Sequence, residues 1–267
     1  MNITHISTEC YPIAKVGGLA DVLKALVEYQ NKLGVNSNVI IPFYNNEFTK
    51  NNSFKTIYES EMSLGFESYN FRILTLKKKE LTFDIFLVDI HDLLFKDYVY
   101  SKDDTDRFLA FQIAALDWVL QLKEKPTIVN CHDHHTGLIP FMMSHCYKYE
   151  ALKEIPSVLT MHNAQYQGQF SHDHVFKIPP FEFFKVGLLD WNQTINPLAS
   201  GIKCAWKVNT VSQSYMDELN NDAHGLESLL RHESDKCSGN LFDLDINLWN
   251  PESDNYMIIN NSKKTVQ

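Results

Sequence analysis

Lys15-Val16-Gly17-Gly18-Leu19 sets one ammonium and two residues without side chains at the start of a helical pattern. A glycine pair opening a helix leaves backbone N–H groups without intrahelical partners, and the helix dipole adds positive potential at the same end. Such a loop can receive an anion, phosphate above all. It is neither a Walker loop nor the three-glycine dinucleotide fingerprint, and a strand-to-helix turn takes glycine for steric reasons too. Taken alone, the stretch fits an anion site and a plain turn equally. A second group is His132-Asp133-His134-His135, with His162-Asn163 and His172-Asp173-His174 further on. Imidazole and carboxylate are common metal ligands, but no helix carries a His-x-x-x-His pair and no carboxylate sits at a ligand spacing from one. Hydroxyl binding or ordinary loop polarity is the better reading, and no metal ligand is assigned. A serine hydrolase lacks its Gly-x-Ser-x-Gly elbow. Glu59 and Glu67, eight apart like the paired glutamates of some glycosyltransferases, fall in a strand-like, partly exposed region, and their spacing is read as chance. In the aromatic and charged loop that precedes the long helix, Tyr100 is the one candidate ligand contact.

The elements that must carry these residues follow from periodicity. Ile3 to Thr8 is an apolar strand pattern; Leu19, Val22, Leu23, Leu26 and Leu33 keep near-helical spacing until Gly34; Asn38-Val39-Ile40-Ile41-Pro42 is a buried strand. This is one βαβ unit and sets a parallel sheet. Phe71–Leu76 and Thr82–Asp89, with a Lys77-Lys78-Lys79-Glu80 tip between them, predict an antiparallel addition. Asp104–Lys123 predicts a long helix, with Asp103, Asp104 and Asp106 complementing its N-terminus. Strands then run over Pro126–Cys131, Pro156–Met161 and Lys207–Val211, and Ser212 is placed to cap a helix over Gln213–Asn220. Polar residues gather just after strand upon strand, at Glu9 and Lys15, His132 to His135, His162 and Asn163, and Ser212. In an open parallel α/β sheet these positions share the ligand-binding rim. The fold class is α/β: a Rossmann-like parallel sheet with helices on both faces and an antiparallel addition. One domain over 1–259 and a polar tail over 260–267 are expected.

The 267 residues are 44% hydrophobic and 12% aromatic, enough for a sizeable core, and carry a net charge of -9. That charge excludes a broad basic face for nucleic acid or an anionic membrane, so an anionic ligand needs a focused pocket. Five cysteines, odd in number and without a Cys-x-x-Cys pair, point to reduced thiols. With no leader pattern and no apolar run of membrane-spanning length, the expected location is the cytoplasm.

Three motifs in order carry a resemblance: Ser7-Thr8-Glu9-Cys10-Tyr11-Pro12-Ile13-Ala14-Lys15-Val16-Gly17-Gly18-Leu19-Ala20-Asp21, Cys131-His132-Asp133-His134-His135-Thr136-Gly137-Leu138, and Met161-His162-Asn163-Ala164-Gln165-Tyr166-Gln167-Gly168-Gln169-Phe170. They are joined by residues 207–215, 224–230 and 248–254, which cover nearly the whole chain. The sequence resembles the bacterial glycogen synthase and plant starch synthase family. The resemblance implies the N-terminal lobe of a two-lobed GT-B glycosyltransferase. It also implies glucosyl transfer from ADP-glucose to the end of an α-1,4-glucan, glycogen or a maltooligosaccharide, with retention and with no cofactor or metal. It places Lys15, Gly17 and Gly18 at the donor's diphosphate and glucose, and Asp21, Asp133 and His162 at the sugar or the reacting centre. Lys15, Asp133 and His162 are the catalytic candidates, with Lys15 and His162 foremost. Lys15, Gly17, Gly18, Asp21, Tyr100 and Asn163 are the substrate-binding candidates.

Two departures from the family pattern stand out. The family's second lobe, which holds most of the nucleotide site, is expected to begin where this sequence ends, so a separate C-terminal-lobe partner is implied. Leu241-Phe242-Asp243-Leu244-Asp245 stands where the family reads Leu-Asn-Gly-Ile/Val-Asp, and His134 stands for the tryptophan of its His-Asp-Trp-His. An active transferase lobe is the leading reading. The alternatives are a non-catalytic truncated paralogue that binds glucan or regulates, and a metal-dependent hydrolase built on the histidine cluster.

Overall fold

The computed structural model describes residues 1–241. The substitutions Phe242 and Asp243, the 248–254 motif, the domain boundary at 259 and the 260–267 tail lie outside the described residues.

The first unit forms as its pattern dictates: β1 (Asn2–Ile6), α1 (Gly18–Lys32) and β2 (Asn36–Pro42). Leu19, Ala20, Leu23, Ala25 and Val27 make the buried stripe of α1. Leu33 falls just past the helix end as an exposed residue, and Gly34, at φ +81°, turns the chain into β2. Next come β3 (Phe54–Leu64), β4 (Glu67–Leu76), β5 (Asp84–Asp89), the long helix α2 (Thr105–Gln121), β6 (Ile128–His132), the short helix α3 (Ile139–His145) and β7 (Ser157–Met161). The described part closes with α4 (Pro197–Cys204), β8 (Lys207–Thr210), α5 (Gln213–Leu219) and β9 (Cys237–Gly239). The main sheet runs β9-β8-β7-β6-β1-β2-β5-β4-β3, parallel from β9 to β5 and antiparallel beyond.

The antiparallel addition pairs Phe71–Leu76 with Asp84–Asp89 as expected, with Arg72↔Asp89, Ile73↔Val88 and Leu74↔Leu87 in register, and carries one strand more. Asp84–Asp89 is a member of the parallel sheet, in register with β2 from Asn38↔Asp84 to Pro42↔Val88. On its other side β4 forms a hairpin with the edge strand β3, joined to it at Gly65. An edge strand need bury only one face, and Lys55, Thr56, Ile57, Glu59, Glu61 and Ser63 point outward, so β3 has no apolar run to announce it. Glu59 faces Arg72, and Glu67 faces Leu64 near the opposite end of the same hairpin, away from the cleft.

Two apolar layers cover the sheet. Leu23 and Val27 of α1 pack with Val39, Ile41, Ile85 and Leu87 on one side; Phe111, Ala114, Ala115 and Trp118 of α2 pack with Ile40, Val88, Val129 and Cys131 on the other. The α2 helix is buried almost all round, and its polar residues are matched accordingly: Gln112 accepts from the Leu138 N–H, and Asp117 accepts from Tyr149 Oη and Lys148 Nζ. Asp104 does not cap α2 with its side chain. Its carboxylate accepts from the Ser101 N–H and hydroxyl and pairs with Arg107. Ser212 caps α5 as expected, accepting from the Tyr215 N–H at 3.0 Å.

The loop after β6 meets α4 through two glycines. A Cβ on Gly137 would lie 2.4 Å from the Pro197 carbonyl oxygen, and one on Gly201 would lie 2.8 Å from the Gly137 oxygen. Backbone against backbone leaves no flexible side chain to yield. Gly137→Ala is therefore expected to lower stability by about 1–3 kcal/mol or more, the usual cost of overpacking. Urea unfolding reads this; an unchanged midpoint would show that the loop and α4 can separate freely.

Candidate functional site

β1 lies at the centre of the sheet: the chain first moves outward through β2, and later returns to build β6, β7 and β8 on the other side. This is a topological switch point, and the loops leaving neighbouring strand ends there must diverge and leave a crevice. The crevice is present as a cavity of about 970 Å³, lined by Glu9, Gly17 and Gly18 after β1, Asp133 to His135 after β6, His162 and Asn163 after β7, and Val211 after β8. Tyr100 and Phe108 close one flank and the 165–170 segment another. The strand-end motifs singled out in the sequence therefore converge on one site.

The glycine loop is organised differently from the expected open anion cradle. Glu9, 3% exposed, turns its carboxylate onto the loop, and its Oε2 accepts from the N–H groups of Val16 at 2.5 Å and Gly17 at 2.8 Å. The protein's own carboxylate thus fills the first two positions of the nest. Lys15 Nζ pairs with Asp21 Oδ2 at 2.6 Å, which holds the ammonium against the first turn of α1. The N-terminus of α1 has no side-chain cap, and a Cβ on Gly17 or Gly18 would meet nothing within 4 Å. Neither glycine has positive φ. Their missing side chains widen the cavity beside the helix end instead of relieving backbone strain.

Tyr100 reaches the rim, yet its hydroxyl is committed inward, donating to Glu9 Oε1 at 2.6 Å and lying 3.0 Å from Thr8 Oγ1. Burial first, and then the Glu9 charge, push its pKa well above that of a free tyrosine. Its ring stacks on His135 at 4.7 Å, and Phe108 meets His135 edge-on at the same distance. Tyr100 is a strut for Glu9 and a wall for the cavity.

Asp133 ends β6 with φ 57° and ψ -174°, a region that a residue with a side chain adopts at a cost of about 1–3 kcal/mol. The conformation turns its carboxylate across to β7, where Oδ1 accepts from the His162 N–H at 2.7 Å and the Asn163 N–H at 3.3 Å. Burial raises its pKa against the opposing pull of His162 and those two amides. His162 Nε2 lies 3.0 Å from His132 Nδ1, and burial lowers the pKa of both rings. His134, where the resemblance led one to expect tryptophan, lies tilted by 36° against His135 at 3.6 Å and packs beneath Gly168. The two histidine clusters do not meet: His172 pairs with Asp190 at 2.6 Å elsewhere. Among the described residues no three His, Cys, Asp or Glu side chains gather as a metal site. All five cysteines are free thiols, and no described helix is long and apolar enough to cross a membrane.

Sequence reasoning missed Glu9 as the filler of the nest, the inward role of Tyr100, and the participation of His5 and Gln30 behind the site. The signal for His5 was a histidine set within an otherwise apolar central strand.

His135 Nδ1 is buried with no hydrogen-bond partner among the described residues, and burial holds this imidazole's pKa well below 6.5. The unfolded histidine protonates near 6.5, so below that pH the unfolded chain binds a proton that the folded chain refuses. Stability from this group is intact above pH 6.5 and falls as the pH drops. His135→Phe, which keeps a ring against Tyr100 and Phe108, is expected to reduce the stability loss between pH 7 and pH 5 by up to about 2 kcal/mol. Urea unfolding at the two pH values measures it; parallel losses in wild type and variant would contradict it.

Comparison with known proteins agrees with this geometry. Residues 2–232 match the family model described as the starch synthase catalytic domain. The glycogen synthase of Flavobacterium johnsoniae is 46% identical over 263 residues, covering 98% of this chain and 56% of that protein. A glycogen synthase of Streptococcus pneumoniae is 34% identical over 261 residues, covering 95% of this chain and 54% of its own length. Among solved structures, the catalytic domain of starch synthase IV from Arabidopsis thaliana, bound to ADP and acarbose, superposes with a TM-score of 0.82 at 26% identity, over 96% of this chain and 54% of that one. The chain thus spans about half the length of the relatives it matches. Its fold is the Rossmann-like N-terminal lobe of the GT-B architecture, and the chain belongs to the starch synthase catalytic domain family.

Proposed function

We propose that this chain forms the N-terminal wall of a donor and acceptor cleft for glucosyl transfer from ADP-glucose to the end of an α-1,4-glucan, with retention of configuration. The observation that carries this reading is the convergence of Gly17 and Gly18 at the uncapped end of α1, Asp133, and His162 with Asn163 on one crevice at the switch point of the sheet, with Lys15 held beside that helix end by Asp21. Retaining transfer from a nucleotide sugar develops negative charge on the departing diphosphate. Positive groups fixed before the reaction stabilise that charge without having to reorganise. Lys15 and the amides following Gly17 supply such groups, and the bare Gly17 and Gly18 let a phosphate approach the backbone. Asp21 positions the Lys15 ammonium. Asp133, His162 and Asn163 face the sugar, where carboxylate, imidazole and amide can each bond a hydroxyl. No metal or cofactor is required by this reading.

The opposite wall belongs to a second lobe, provided in the same longer protein or by a separate partner. The ADP and acarbose held by the Arabidopsis relative support a nucleoside diphosphate and an α-linked oligosaccharide as the ligands here. The five free thiols support a reducing compartment such as the cytoplasm.

Titration of ADP-glucose into the chain, alone and with a complementary C-terminal lobe, tests the reading. Lys15→Ala is expected to weaken nucleotide-sugar binding roughly 10- to 100-fold, the worth of a charge-assisted hydrogen bond of about 1.5–3 kcal/mol. Maltooligosaccharide binding with no response to ADP-glucose in either setting would instead identify a glucan-binding module.

A further inference from the structure

Three histidines stand side by side, His5 and His132 buried on the adjacent strands β1 and β6 and His162 half-buried just after β7, and they form one continuous hydrogen-bonded line. Gln30 Oε1, on α1, lies 2.9 Å from His5 Nε2; His5 Nδ1 lies 3.0 Å from His132 Nε2; His132 Nδ1 lies 3.0 Å from His162 Nε2. The line crosses from the α1 side of the sheet to the cleft. Burial lowers the pKa of all three rings, His5 to about 4, and their mutual repulsion lowers His132 further, so each ring is neutral at physiological pH.

A neutral imidazole has one N–H and one lone pair. Each link between two rings must therefore be one donor and one acceptor, and fixing the polarity of a single link fixes them all. Gln30 Oε1 does this at the far end. A carbonyl oxygen only accepts, and this one also takes the Ser37 hydroxyl at 2.6 Å. His5 must then carry its proton on Nε2 and accept at Nδ1. His132 carries its proton on Nε2 in turn and accepts at Nδ1.

We propose that Gln30 is a positioning residue which, through His5 and His132, locks His162, a residue of the cleft lining, as its Nε2–H tautomer and makes its Nδ1 the acceptor nitrogen. An acceptor nitrogen welcomes the O–H of a sugar and repels an unprotonated phosphate oxygen. The relay therefore sorts the two halves of the donor: sugar hydroxyl at His162, phosphate at Lys15 and the α1 terminus. This sorting deepens the donor-site reading and rests on it; the tautomer lock rests on the hydrogen-bond line alone.

The test is a long-range 1H–15N spectrum of the ligand-free chain labelled with 15N-histidine, recorded at pH 7.5, with the three rings assigned by single His→Asn variants. The expected result is one Nε2–H tautomer at each of His5, His132 and His162. An Nδ1–H form at His162, or two tautomers averaging there, overturns the proposal, and the wild-type spectrum alone decides this. Gln30→Leu removes the terminal acceptor and is expected to shift His162 toward a tautomer mixture, two rings away from the substitution. Gln30→Glu restores an acceptor and should restore the single tautomer. Unchanged His162 signals in folded Gln30→Leu would overturn the assignment of control to Gln30. Because no ligand is present, these spectra can fail or succeed independently of the Lys15→Ala titration.

Discussion

A buried carboxylate must find a donor for each oxygen, and Glu9 satisfies that demand in a way that shapes everything around it. Its Oε2 takes the amides of Val16 and Gly17, and its Oε1 takes the Tyr100 hydroxyl. The loop after β1 is thereby curled back against its own strand, and the segment before α2 is drawn in to meet it. Tyr100, once fixed, stacks on His135, which follows β6. One charge links the ends of two sheet strands and the approach to the longest helix. A strand-to-helix loop with two adjacent glycines has many accessible shapes; the carboxylate selects one of them.

The next strand ends are joined by a second buried carboxylate. Asp133 accepts from the amides of His162 and Asn163 while its own N–H donates to the Thr160 carbonyl. Those bonds offset the backbone strain at Asp133 and aim the His162–Asn163 turn. Glu9 and Asp133 therefore act alike: each is a side chain at one strand end that captures consecutive backbone amides of a loop. Both line the crevice beside the uncapped end of α1, while Lys15 pairs with Asp21 and Arg107 with Asp104. Packing on the flank by Phe108, Leu109, Leu138 and Val211 limits water there, so these electrostatic contacts act at more than their aqueous strength.

Much of this was legible in the sequence because parallel strands buried on both faces are apolar runs, and the rim of such a sheet is where their polar continuation appears. Ile3–Thr8, Pro126–Cys131 and Pro156–Met161 each gave a strand within a residue or two, and each was followed by the residues that now line the cavity. The edge strand β3 was legible only as a strand-like, partly exposed region without bounds or partner, because half its side chains face water and no apolar run marks its ends. Asp84–Asp89 was assigned as a strand with the right antiparallel partner, Phe71–Leu76, but its second, parallel partner β2 went unassigned, since local periodicity carries no information on which further neighbour supplies hydrogen bonds. The site shows the same limit. Of the candidates picked out by type and position, Gly17, Gly18, Asp133 and His162 line the cavity, whereas Lys15 sits beside it, paired with Asp21. The partner that fills the nest, Glu9, and the inward turn of the Tyr100 hydroxyl depend on pairings across 7 and 91 residues that no spacing rule encodes.

The wall of the crevice is preorganised by contacts within the described residues. The strained backbone of Asp133, the curl of the glycine loop, the ion pair of Lys15 and the polarity of the histidine line all have their determinants on this side of the cleft. A binding partner or second lobe arriving opposite such a wall meets groups already oriented, so little ordering entropy remains to be lost here when the cleft closes. That arrangement suits transition-state stabilisation, in which dipoles set before reaction act more strongly than dipoles recruited during it. Under the proposed function it also divides the labour of the cleft: this half fixes the direction of each donor and acceptor, and an opposite lobe has only to exclude water and bring the ligand up to them.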